Sequence, residues 1–216
     1  MEYFVLVAKA VVSGFIVAVP MGAVAALCIR RALQRRWMTG IVIGIGGALA
    51  DAILAAGAAL GLSLILSYVM SHIELLRYAG GGALIILGIF MYRADPPALD
   101  RDPARRRSPT SIANIANLAA AMASGFALTI FNPATFLAFV ATFTALNIFE
   151  GTPPDVTKGS LLVGGVFVGS TLWWLILCLG ATLLSTRLSD RMFVLIDKAL
   201  ALFIIAVGVV AIARPL

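Results

Sequence analysis

A single carboxylate interrupts a long uncharged stretch: Asp51 is the one charge between residues 37 and 73. On a helix it shares a face with Gly44, Gly47, Ala48 and Ala55. In an apolar medium a charged carboxylate costs several kcal/mol unless it is paired, hydrated or protonated. No Lys or Arg lies at matching depth in another apolar stretch. A proton, a cationic ligand, or the two in alternation are then the ways to satisfy it; an acid hydrogen-bonded to a neighbouring backbone carbonyl is the structural alternative. Asn132 directly precedes Pro133, and its amide can either contact a zwitterion or cap a helix break. Pro20, followed by Gly22, marks a similar interruption near the start of the chain. A proline inside a helix removes one hydrogen bond and clashes with the carbonyl four residues earlier. The carbonyls so loosened are those of Ile16 and Thr129. Ser170 stands three and four residues before Trp173 and Trp174, so the three can line one helix face, as a cavity wall or as packing bulk.

These residues lie in a chain that cannot be soluble. Of 216 residues, 62% are hydrophobic and only 12% charged, where a globular domain has about 25% charged. A helix needs about 20 apolar residues to cross a hydrocarbon core of about 30 Å. Six spans are expected, near residues 3–28, 39–63, 75–93, 119–146, 159–185 and 194–213. The third and sixth are short and must let Arg77, Arg93, Lys198 and Arg214 reach toward the interface. The fold class is an all-α membrane protein.

The net charge of +6 has a topological reading. Arg30, Arg31, Arg35 and Arg36 follow the first span, Arg93 and four arginines within 101–107 follow the third, and Arg187 and Arg191 follow the fifth. By the positive-inside rule these loops are cytoplasmic and both termini lie outside. The basic runs are then anchors at the lipid bilayer surface, with no need of nucleic acid. No cleavable signal peptide is read at the start of the chain. Cys28 and Cys178 fall near a cytoplasmic helix end and near mid-membrane, so a disulfide is not expected. His72 is the one histidine and makes no metal site.

The proline- and arginine-rich linker 94–117 divides the chain into 1–93 and 118–216, each with three spans. The halves share punctuation. Pro20 and Pro133 interrupt their first spans; Gly40/Gly159, Gly46/Gly165 and Gly61/Gly180 recur at an offset of 119 residues, and Gly88/Gly208 at 120. An odd number of spans per repeat makes the two repeats inverted, a plan used by secondary transporters whose sites lie at midplane where interrupted helices meet. Small-residue ladders (Gly40-x-x-x-Gly44, Gly57-x-x-x-Gly61 and Gly165-x-x-x-Gly169) suit close helix packing inside one protomer, with a homodimer seam as the other use.

No catalytic constellation is present: there is no Ser-His-Asp set, no His/Cys cluster, no P-loop, and no cofactor motif. An enzyme is not expected. The run Pro20-Met21-Gly22-Ala23 with Cys28-Ile29-Arg30-Arg31-Ala32-Leu33 resembles the first-span motif of the lysine exporter (LysE) family of amino-acid transporters. Gly40 through Gly47 with Asp51 are similar to its glycine-rich second span, Thr129 through Thr135 to its Asn-Pro motif, and Val168 through Trp174 to its fifth span. The family's first-span motif usually has a second proline where Ala23 stands. The resemblance implies ion-gradient-driven efflux of amino acids or related small solutes across the bacterial inner membrane. The site expected on this reading comprises Asp51, Asn132, Pro133, Pro20, Gly22, Ser170 and Trp173. A divalent-metal exporter, which would want several intramembrane carboxylates, and a non-transporting membrane scaffold are the competing readings.

Overall fold

A computed structural model describes residues 1–19, 22–34, 36–59, 71–93, 112–148, 156–185 and 189–213. Among the described residues there are eight helices and no strand: α1 (Glu2–Ala18), α2 (Gly22–Leu33), α3 (Trp37–Ala59), α4 (Ile73–Arg93), α5 (Ile112–Ile130), α6 (Pro133–Ala145), α7 (Val156–Ser185) and α8 (Asp190–Ala213). Among the described residues three unbroken segments are long and apolar enough to cross a membrane: α3, α7 and Val194–Ala213 of α8. Two further spans arise if each bent pair counts as one, with α1 and α2 meeting at 80° and Ala116–Ile130 and α6 at 65°. The apolar part of α4, Tyr78–Arg93, is shorter, as its sequence foretold. Most of the expected linker, 94–111, lies outside the described residues; its last six residues are already the start of α5.

The second bend has a local cause. Pro133 opens α6, where a missing N–H is harmless. Asn132 before it is extended (φ −92°, ψ 103°), and its Oδ1 accepts the Ala134 N–H at 3.1 Å. The Thr129 carbonyl is not left loose as expected. It accepts the Asn132 N–H at 3.1 Å, a tightened last turn that absorbs what the proline takes away. Pro20, the counterpart at the first bend, lies outside the described residues. The far end of α6 closes on Asn147 in the left-handed region (φ 45°), with Asn147 N–H donating to Thr144 O and Ile148 N–H to Phe143 O. Lys9 of α1 donates to the Asn147 carbonyl at 3.3 Å.

Packing crosses between the two halves of the chain. The most extensive helix pairings are α1 with α7, α4 with α8, α3 with α5 and α3 with α7. Glycines make the first and third of these close. A methyl group at Gly14 would fall on the Val166 carbonyl, and one at Gly169 on the Val11 carbonyl. In the other pair, a methyl at Gly125 would fall on the Ile43 carbonyl, and one at Gly46 on the Met122 carbonyl. Residues 11 and 14 facing 169 and 166 thus repeat as 122 and 125 facing 46 and 43. The packing counterpart of Gly46 is Gly169, one helical turn beyond the Gly165 that sequence spacing offered. Between α4 and α8 Gly88 abuts Ala201 and Gly208 abuts Gly81, which keeps the offset of 120.

A second buried acid appears besides Asp51. Asp197 of α8 is 1% exposed, and its Oδ1 lies 2.6 Å from Nε of Arg30 on α2. The two charges touch without the alignment of a hydrogen bond. Arg30 also donates through Nη2 to the Met91 carbonyl of α4 at 3.4 Å, so one guanidinium joins three helices. Lys198 is exposed and rests its ammonium 5.2 Å from the centre of the Tyr92 ring.

Candidate functional site

Asp51 lies on α3 where that helix crosses α7, and none of its surface is exposed. The small residues of its face, Gly44, Gly47, Ala48 and Ala55, are all buried. They set how near the other helices come. A methyl at Gly44 would strike the Trp174 side chain, and one at Gly47 would stand 3.3 Å from the Thr129 hydroxyl and 3.6 Å from the Trp174 indole nitrogen. α7 and the end of α5 therefore close over the carboxylate because α3 has no side chains to hold them off.

Three groups form a directed chain of hydrogen bonds. The Trp174 indole N–H donates to the Ser170 Oγ at 3.2 Å, and Ser170 donates to the Asp51 Oδ2 at 2.5 Å. Indole nitrogen can only donate. Ser170 must then accept from Trp174 and use its own proton toward Asp51. While the chain stands, Oδ2 is occupied as an acceptor. Oδ1 is the other oxygen, buried and without a hydrogen-bond partner among the described residues. A proton or a cationic group arriving at Asp51 has one place to bind.

At the break between α5 and α6 two more buried polar atoms lack partners among the described residues: the hydroxyls of Thr129 and Thr135, 1% and 3% exposed. Thr129 lies against Gly47, one turn from Asp51. Thr135 stands in the first turn of α6, at the positive end of that helix dipole, where the Ala134 and Thr135 N–H groups already donate to Asn132. Among the described residues, an unsatisfied carboxylate oxygen on α3 and two unsatisfied hydroxyls at the α5/α6 break are thus buried, with Thr129 facing α3 one helical turn from Asp51. Such orphans are rare in a folded interior and call for a ligand or water.

A profile of the LysE type translocator family matches residues 15–214. The chain belongs to this family. As a LysE type translocator it is a multi-pass membrane protein of a family of transporters. The matched region contains α2 through α8 whole and the end of α1, so both bends and the whole Asp51 cluster fall within it. Neither a curated protein nor a solved structure matches the chain.

The sequence-expected residues do not all meet in this translocator. Asp51 and Ser170 are in direct contact. Asn132 caps α6 with Pro133 beside it, at the break next to Thr129. Gly22 opens α2 and turns toward the Phe203 ring of α8, which a methyl there would strike. Trp173 points away from its neighbour, packing edge-on against Phe15 of α1 at 5.4 Å between ring centres. Trp174, fully buried, is the tryptophan that reaches Ser170. The signal for it was present: Ser170 and Trp174 are four residues apart, the spacing that stacks side chains on one helix face. Thr129 and Thr135 carried a signal as well, hydroxyls on either side of an Asn-Pro break.

Proposed function

We propose that this protein is a secondary-active exporter of amino acids or related small amino-bearing metabolites across the bacterial inner membrane, coupled to protons and working by alternating access. The observation that carries this reading is the unpartnered Asp51 Oδ1 beside a polarised Ser170–Trp174 chain. A substrate ammonium and a proton compete for that oxygen. The substrate carboxylate lies toward the α6 N-terminus, where the Thr129 and Thr135 hydroxyls supply donors. Protonation of Oδ1 from outside releases the ammonium; loss of that proton to the cytoplasm restores the binding form.

The spans form two inverted repeats of three, with the broken helices α1/α2 and α5/α6 as equivalent first spans. The repeated glycine contacts of α1 on α7 and α5 on α3 support this reading, as does the pairing of α4 with α8. In such a plan the site lies at the repeat interface, where α3 crosses α7. The termini face outside; Arg30, Arg31 and Arg36 mark the cytoplasmic end.

Counterflow in proteoliposomes tests the proposal with labelled basic, neutral and acidic amino acids, with and without a pH gradient. Uptake of one class by wild type is expected, and its loss in a folded Asp51→Asn variant. Proton-coupled export unchanged by that substitution would sink the assignment.

A further inference from the structure

A groove of about 340 Å³ runs along α7 where α2 and α8 flank it. Its floor is one stripe of α7, from Trp173 through Leu177 and Gly180 to Leu184. Ile29 and Leu33 of α2 form one wall, and Ile196 of α8 the other. Apart from the Trp173 indole nitrogen, these side chains are hydrocarbon. Gly180 gives the groove its depth, since a methyl there would meet nothing within 4 Å among the described residues. Glycine weakens a helix interior, and no neighbouring helix comes close enough here to require one. The groove also has the reach of an acyl chain. Trp173 and Leu184 are eleven residues apart, about 16 Å along the helix axis. One leaflet of a hydrocarbon core of about 30 Å is about 15 Å deep. Ile176 and Leu184 are more than half exposed along it, so in a membrane the groove opens sideways onto lipid.

One end of the groove lies among arginines. Leu33 is the last residue of α2, and Leu184 the last but one of α7. Beyond Leu33 the chain turns back, with the Arg36 N–H donating to the Arg31 carbonyl at 3.0 Å. That turn holds two like charges on one short stretch of chain. Arg30 is answered by Asp197, whereas Arg31 donates to the neutral Gln34 Oε1 at 3.4 Å and Arg36 is exposed. Among the described residues no acid forms a salt bridge with Arg31 or Arg36. The C-terminal ends of α2 and α7 are the negative ends of their dipoles, so an anion at this mouth must be held by the arginines. Trp37, exposed next to Arg36, marks the headgroup level, where tryptophan collects. We propose that the groove binds one acyl chain of an anionic phospholipid of the cytoplasmic leaflet, with its headgroup phosphate on Arg31 and Arg36. The planar fork of arginine meets phosphate oxygens two at a time, and basic pockets between spans on the cytoplasmic side take such headgroups. The choice of leaflet follows the proposed orientation; the binding chemistry depends neither on it nor on the transport reading. The bound chain fixes α2 and α8 against α7, and its tip reaches Trp173, beside the Trp174 that donates to Ser170.

Native mass spectrometry of the full-length protein, delipidated in detergent, tests the site. The probes are phosphatidylglycerol and phosphatidylcholine carrying the same palmitoyl and oleoyl chains. One phosphatidylglycerol per chain should bind about thirtyfold more tightly than phosphatidylcholine, and Arg31→Gln and Arg36→Gln should each weaken it about fivefold. Gly180→Phe fills the groove from its floor and should weaken phosphatidylglycerol binding at least about tenfold. Equal retention of the two lipids overturns the proposal, as does a Gly180→Phe variant that binds like wild type. Displacement of phosphatidylglycerol by millimolar inorganic phosphate also overturns it, marking a free-phosphate site instead. Should Gly180→Phe lose helicity, brominated acyl chains decide. The Trp173 share of the fluorescence is the difference between wild type and Trp173→Phe. Brominated phosphatidylglycerol is expected to quench it more than brominated phosphatidylcholine does; equal quenching overturns the proposal.

Discussion

Asp51 and Asp197 are both carboxylates sealed inside the helix bundle, and they are treated in opposite ways. Asp197 has a fixed counter-charge, Arg30, held across the meeting of α2 and α8. Asp51 has no such partner; a serine occupies one oxygen and the other stands open. A permanent ion pair fixes two elements to each other. An acid with only neutral neighbours is poised to accept what comes from outside. Burial alone does not distinguish a ligand site from a joint, whereas the presence of a resident cation does.

Charge removal should separate the two acids most sharply. At Asp51 the asparagine variant should keep its fold and lose transport by on the order of a hundredfold or more, the loss of a charge-assisted contact of about 3 kcal/mol. At the other acid the effect should be on stability. Arg30→Met leaves Asp197 buried without a partner and should cost about 3–5 kcal/mol. Adding Asp197→Leu should recover most of that, read as the midpoint of denaturant unfolding in micelles. If the single and double variants unfold alike, the pair is not a joint and the contrast with Asp51 fails.

Smaller substitutions sharpen the comparison at Asp51 itself. Ser170→Ala releases Oδ2, so the carboxylate gains a second open oxygen. Transport should persist with substrate affinity about tenfold weaker, since a hydrogen bond to a charged group contributes about 1.5–3 kcal/mol. Trp174→Phe keeps the bulk and deletes only the indole donor, removing about 1 kcal/mol and slowing counterflow a few-fold. A Trp174→Phe effect larger than that of Ser170→Ala would contradict the directed chain, in which the indole acts only through the serine.

Much of this was legible beforehand. Asp51 announced itself as a lone charge in an apolar run, and Asn132-Pro133 announced a break, because both violate the pattern around them. The partner of Asp51 was visible only as a hydroxyl among small residues. Which of two adjacent tryptophans would face it depended on the rotation of α7 against α3. That rotation is set by Gly44 and Gly47, and single-helix spacing does not encode it. The Arg30–Asp197 pair was hidden for a similar reason. Arg30 read as one of the basic anchors after the first span, and nothing in its spacing points to Asp197 on α8. The packing register of the glycines slipped by a turn because glycine is so frequent here that several offsets look alike.

The crossed pairing of the helices has a consequence for how the chain is made. α1 and α3 emerge first from the ribosome, yet the partners that cover their glycine faces, α7 and α5, come much later. Val11 waits for Gly169. At about 5–20 residues per second, that wait is roughly 8–30 s. During it the first half sits in the membrane with its close-packing surfaces open to lipid or to another nascent chain. A stop codon in the linker would strand those surfaces for good. The two halves supplied as separate polypeptides should recover a native assembly only when synthesised together, each finishing the other's interface.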